Sequence, residues 1–263
     1  MYSWLMNIEI KKIQLTWSGR LLTPTHGLML LPEQHLGRIA LLCHGYTSHK
    51  GSLLAWATRL AEEKIPTMIF DVPGHYLGNF SEVDNFSDFK SSAHELFQEA
   101  YEQALLELNF APERVILGGH SLGALLALKA LDLSCFSRLQ KIAIGVGLGM
   151  PPQGVVHIFD TPFYKSTLKL REGLVSPALK PDNVFPWIKE EKENLAISQK
   201  RIHLISGEDD MVVGEDGMER FAKHLEKYGN DVSIEKPKRL AHHVPENAAP
   251  HIKKFLKDQG WLE

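Results

Sequence analysis

Apolar and polar positions change rhythm several times along this chain, and each change predicts an element. Ile8, Ile10, Ile13 and Leu15 partly alternate with polar residues, Ser18 and Gly19 make a turn, and the apolar run 28–31 stops at Pro32. The first thirty residues therefore predict two or three strands. Beyond them the runs become continuously apolar. Residues 39–43, 67–70, 114–118, 141–146 and 201–205 read as strands covered on both faces, and 232–235 as a last strand. Between the runs the period lengthens. From 88 to 108 the apolar residues Phe89, Ala93, Leu96, Phe97, Ala100, Tyr101, Ala104, Leu105 and Leu108 recur in steps of three and four, which predicts one amphipathic helix. Residues 53–64, 215–228 and 246–258 also read as helices, as does the run that starts at Leu122.

Strands alternating with helices predict an α/β fold: a mostly parallel central sheet flanked by helices. In such sheets ligands bind beyond the carboxyl ends of the strands, so those ends are where chemistry is expected. One segment breaks the rhythm. Residues 147–199 hold six prolines and many apolar side chains. A structureless loop of that length is unusual in a compact domain. The segment reads as a cap or lid inserted into a single domain that spans residues 1–263.

Composition narrows the function classes. A hydrophobic fraction of 44 % over 263 residues can fill a large core, and no stretch is long and apolar enough for a membrane span. A net charge of -3 gives no reason to expect a nucleic-acid partner. Cys43 and Cys135 lie in apolar segments and read as reduced packing residues. The N-terminus lacks a basic region followed by an apolar core, so a cytoplasmic location is expected.

The sharpest feature is the run from Arg114 to Leu128. An apolar strand meets Gly119-His120-Ser121-Leu122-Gly123, and a helix-forming run follows at once. A turn this sharp holds the serine hydroxyl out at the top of the sheet, beside the first amides of a helix. A serine hydroxyl needs a base, and the base needs an acid to fix its tautomer. Acids follow the strand ending at Ile205, in Ser206-Gly207-Glu208-Asp209-Asp210. Histidines follow the last strand, in Leu240-Ala241-His242-His243-Val244-Pro245-Glu246. The order serine, acid, histidine suits this strand-helix arrangement.

In these motifs the chain resembles the α/β-hydrolase superfamily over nearly all its length. The resemblance implies Asp210 as the acid, because Gly207, Asp210 and Val213 match a Gly-x-x-Asp-x-x-Val spacing, with Glu208 and Asp209 as solvated turn residues. It implies His242 as the base, from His-x-x-Pro-Glu, with His243 as the rival and Ala241 where a glycine is common. It implies an oxyanion hole from the backbone N–H groups of Tyr46, in His44-Gly45-Tyr46-Thr47-Ser48-His49-Lys50-Gly51, and of Leu122. His44 is expected to brace that loop. Asp71-Val72-Pro73-Gly74-His75 resembles a rim-shaping turn to which no chemistry is assigned.

The implied function is a serine hydrolase that cleaves a small-molecule carboxylic ester through an acyl-enzyme, with thioesters and lysophospholipids as close variants. The loop after His44 also looks like that of small bacterial carboxylesterases. A peptidase with the same triad and a catalytically idle binding protein are the alternatives. The histidines show no zinc spacing and no phosphate-binding glycine motif is present, so neither metal nor cofactor is expected. Phe159, Phe163, Tyr164 and Trp187, in the inserted segment, are the candidate substrate contacts.

Overall fold

The computed structural model describes the backbone of residues 7–151 and 162–263, and their side chains except those of 162–166. Among the described residues eight strands form one sheet: β1 (Ile8–Leu15), β2 (Thr25–Pro32), β3 (Arg38–Cys43), β4 (Thr67–Phe70), β5 (Arg114–His120), β6 (Gln140–Val146), β7 (Arg201–Ile205) and β8 (Asp231–Glu235). Their spatial order is β1-β2-β4-β3-β5-β6-β7-β8. β1, β2 and β4 pair antiparallel, and every pairing from β4 across to β8 is parallel. The fold is thus α/β, with a mostly parallel sheet.

The helices are α1 (Leu54–Glu62), α2 (Phe86–Ser92), α3 (Leu96–Glu107), α4 (Leu122–Ala130), α5 (Pro162–Glu172), α6 (Pro181–Asn194), α7 (Gly217–Glu226) and α8 (Ala249–Asp258). The continuously apolar strands have side chains to bury on both sides, and two core clusters result. One joins Leu41, Leu117 and Phe70 to Phe97 of α3 and Leu125 of α4. The other joins Leu42, Ile116 and Ile144 to Trp56 of α1 and Ile252 and Phe255 of α8.

The single helix expected over 88–108 is two helices, separated by a 3-10 turn at Ala93–Glu95. The hydroxyls of Ser91 and Ser92 both donate to the Asp88 carbonyl, and the Trp17 indole N–H donates to the Ser92 carbonyl. Side chains thereby compete with the helical ladder at that point. The expected helix at 246–258 also opens with a 3-10 turn, Pro245–Ala248. Cys43 is buried and Cys135 half-buried, both as free thiols.

The junction of β5 and α4 is a place of close backbone approach. Ser121 sits between them at φ 50° and ψ −111°, a strained conformation for a residue with a side chain. Its N–H donates to the Val146 carbonyl of β6 at 2.8 Å. A Cβ placed on Gly119 would lie 2.5 Å from the Cys43 carbonyl oxygen, and one on Gly123 would lie 2.1 Å from it. Both positions therefore exclude any side chain. Gly123→Ala is expected to destabilise the protein by about 1–3 kcal/mol, because the end of β3 must be pushed away from α4. Thermal denaturation should show a drop of several degrees, and an unchanged Tm would refute the close-approach argument.

Candidate functional site

The turn after β7 and the loop after β8 bring Asp210 and His242 together. Asp210 is buried and accepts hydrogen bonds from the Val212 and Val213 amides, both at 3.0 Å, and from the Ser206 hydroxyl at 3.1 Å. Its Oδ2 also lies 3.0 Å from His242 Nδ1. Burial alone would raise its pKa. The hydrogen bond and charge of His242, with the Val213 amide and the Ser206 hydroxyl, outweigh that, so the carboxyl is held below its ordinary value. Asp209 points elsewhere. Its Oδ1 accepts the Leu240 N–H at 2.9 Å and so ties the acid turn to the loop that carries His242. Glu208 is exposed.

Ser121 and His242 line one cavity of about 270 Å³, with Tyr46, Thr47, Ser48, Ser52, His120, Arg171, Phe185, Val212, His243, Pro245 and Glu246. A smaller recess of about 60 Å³ also touches Ser121, and it runs between the loop after β6 and helix α6. Leu122 is buried at the head of α4, directly after Ser121.

A buried polar network sets the loop that holds Tyr46. His44 Nε2 accepts the Val72 N–H at 3.0 Å, so Nδ1 carries the proton and donates to the Gly45 carbonyl at 2.8 Å. Asp71, wholly buried, accepts from the Lys50 amide at 2.6 Å and pairs with its ammonium at 2.5 Å. The turn at Asp71 is therefore more than rim: its carboxylate pins the far end of the 44–50 loop. Tyr46 donates its hydroxyl to the Leu179 carbonyl at 2.8 Å and meets Phe185 edge-on at 5.0 Å. Arg171 donates to the Thr47 hydroxyl at 2.6 Å. Helices α5 and α6, in the segment read as a cap, are thus fastened to this loop.

The candidate substrate contacts fare differently. Phe159 lies outside the described residues, as do the side chains of Phe163 and Tyr164. Trp187 is not a wall of the cavity. It is buried against Phe86 and Phe89, at 6.0 and 5.7 Å, and its indole N–H donates to Glu191. Helix geometry explains the correction. Phe185, Ile188, Lys189 and Lys192 recur at i, i+3, i+4 and i+7 and form the stripe of α6 that faces the cavities, while Trp187 falls on another face.

Sequence reasoning also missed His120. It lines the larger cavity with its ring 4.7 Å from that of His242, and both its ring nitrogens are buried without a hydrogen-bond partner among the described residues. Its place beside Ser121 in the motif was the available signal. Arg171 and Lys192 carried no such signal, because their place on the cavity walls depends on where α5 and α6 dock.

A family model described as an alpha/beta hydrolase family matches residues 40–242. A search of curated protein sequences finds no match. Among solved structures the chain is similar to a lipase in its open form, at 12% identity and a TM-score of 0.70, covering 95% of this chain and 99% of that one. It is also similar to an esterase of Pyrococcus furiosus, at 18% identity and a TM-score of 0.67, covering 97% and 92%. A thermophilic esterase from Thermogutta terrifontis, bound to malate, gives 15% identity and a TM-score of 0.62, covering 94% and 98%. At these identities the likeness is one of fold. No helix among the described residues is long and apolar enough to cross a membrane.

The buried histidines around the site make stability depend on pH. Burial pushes the pKa of His44, His75 and His120 down to about 3, with neighbouring histidines adding to the effect. The unfolded chain takes up protons at its ordinary histidine pKa near 6.5, and the folded chain does not. The stabilisation is therefore whole above about 6.5 and is lost as pH falls toward 3, by up to about 1.4 kcal/mol per pH unit for each histidine. Urea unfolding between pH 7 and 4 should show this decline, and a shallower one in His75→Gln. Stability that stays level from pH 7 to 5 would contradict it.

Proposed function

The chain belongs to the alpha/beta hydrolase family, and we propose that it cleaves a carboxylic ester of a small molecule through an acyl-enzyme formed on Ser121. The observation that carries this reading is one piece of geometry. A strained serine at a strand-helix turn faces the same cavity as a histidine whose far ring nitrogen is held by a buried, ionised aspartate.

In this reading His242 takes the proton of the Ser121 hydroxyl as the oxygen attacks the ester carbonyl. Asp210 holds Nδ1–H, so Nε2 is the accepting nitrogen, and its charge favours the imidazolium that forms. Negative charge develops on the carbonyl oxygen, and the N–H groups of Tyr46 and Leu122 are assigned to it. One such preorganised donor contributes about 3–4 kcal/mol to the transition state. The alcohol leaves with the proton from His242, and water then repeats the sequence on the acyl-enzyme. Residues 147–199 act as a cap, whose wall over the site is the Phe185 stripe of α6.

Ser121→Ala is expected to lower ester turnover by on the order of 10⁴-fold or more, because triad members act as a unit. A fluorophosphonate probe should label the wild-type protein and not this variant. His242→Ala should inactivate and the exposed His243→Ala should retain most activity. Asp210→Asn should be far more damaging than Asp209→Asn, which keeps the Oδ1 that accepts the Leu240 N–H. Rates on p-nitrophenyl esters and aminoacyl anilides measure all of these. Substantial turnover by Ser121→Ala would remove the nucleophile assignment, and a preference for the anilides would favour a peptidase.

A further inference from the structure

The two cavities that meet at Ser121 are unlike in charge and in their access to His242. His242 and His243 line the larger cavity and not the smaller. The histidine hands its proton to the departing alcohol, so the alcohol belongs in the larger cavity and the acyl chain in the smaller. The smaller recess is walled by Gly147, Leu148, Pro151, Ile188 and Val213, beside Phe185 and Val212, which would suit methylene groups. Its charged lining residues are Lys189 and Lys192, with no acid among the described residues that line it.

The two lysines are not equivalent. The Lys189 ammonium lies 3.9 Å from the Glu193 carboxylate on the same helix. The Lys192 ammonium donates to the Gly149 carbonyl at 2.5 Å, which uses one of its three donors on a neutral acceptor. Burial, with the charge of Arg220 adding and that of Glu193 opposing, pushes its pKa down to about 8. It is therefore mostly a cation at neutral pH, in a place that weakens its hydration. A purely apolar acyl chain would close the recess over that charge and strip it of water without giving it a partner, which is costly. A carboxylate at the end of the chain would give it a charge-assisted hydrogen bond instead.

We propose, resting on the ester-hydrolase reading above, that the substrate is a monoester of a short dicarboxylic acid, whose free carboxylate is read by Lys192. The recess of about 60 Å³ limits the chain. A water-sized group needs about 10–15 Å³ of such space, so it holds roughly four to six. Two methylenes and a carboxylate, as in a succinyl group, match that. For such a substrate Ser121 Oγ bonds the ester carbonyl carbon, the bond to the alkoxide oxygen breaks, and the alcohol leaves with the proton from His242. Water then cleaves the acyl-enzyme and releases the dicarboxylate.

The test compares monoethyl succinate with ethyl levulinate, which replaces the carboxylate by a methyl ketone of similar size. The wild-type protein is expected to favour monoethyl succinate by tenfold or more in kcat/KM. Lys192→Met should lose at least tenfold on that ester, gain rather than lose levulinate turnover because the buried cation is gone, and thus erase the preference, while Lys192→Arg retains it. Equal or reversed preference in the wild-type protein overturns the proposal without need of a variant, as does a preference that survives Lys192→Met. Titration calorimetry with succinate supplies a readout free of turnover. Succinate should bind the wild-type protein and Lys192→Arg, and bind Lys192→Met at least tenfold more weakly. If neither ester is hydrolysed but succinate binds through Lys192, the ester reading fails and the carboxylate site stands. If esters are hydrolysed and succinate does not bind, the carboxylate site fails alone.

Discussion

Everything at this site depends on how closely three stretches of backbone converge at the carboxyl end of the sheet. The Cys43 carbonyl of β3 lies where a Cβ on Gly119 or Gly123 would have to be. Only because both residues lack side chains can α4 start directly over β3 and force Ser121 into positive φ. That strain is held by the packing around it, since α4 is buried almost along its whole length and the Ser121 N–H is anchored to β6. In that conformation Ser121 lines both cavities at the head of α4.

The supporting shell follows the same logic of fixing backbone through buried polar groups. Asp71 is buried with a lysine ammonium, a lysine amide and a neutral histidine around it. Breaking one partner of such a group leaves an uncompensated charge, which is expensive, so the arrangement is held firmly. It orders the loop from His44 to Lys50, and Tyr46 within that loop then bonds the Leu179 carbonyl across the site. Asp209 does comparable work on the opposite side through the Leu240 amide. The serine, the histidine and the Tyr46 loop are thus each tied down by groups that never meet the cavity.

The position of α6 turns a generic hydrolase cavity into a particular one. Four of its residues face the recesses at helical spacing, and two of those four are lysines. The neighbouring face carries Trp187, whose edge-on packing against Phe86 and Phe89 sets the rotation of the helix. A buried aromatic thus acts on the cavity walls from a distance, by deciding which side chains of α6 face them.

What could be read from residues alone was short-range. Steric limits at Gly119 and Gly123, the period of apolar positions, and the order Ser121, Asp210, His242 all express constraints within a few residues of chain, or the sequence of strand ends. Those were enough for an α/β sheet and for naming the turns that border the cavity. The break between α2 and α3 was not legible, because it depends on Trp17, far away in the chain, reaching the Ser92 carbonyl. Nor was the choice between Trp187 and Phe185: both are large and apolar, and only the docking of α6 decides which one is buried and which faces Ser121. Lys192 is the extreme case. In the sequence it is one charge in a polar run, and it acquires a place beside the site only because the packed helix holds its ammonium against the carbonyl of Gly149, another residue of the recess wall.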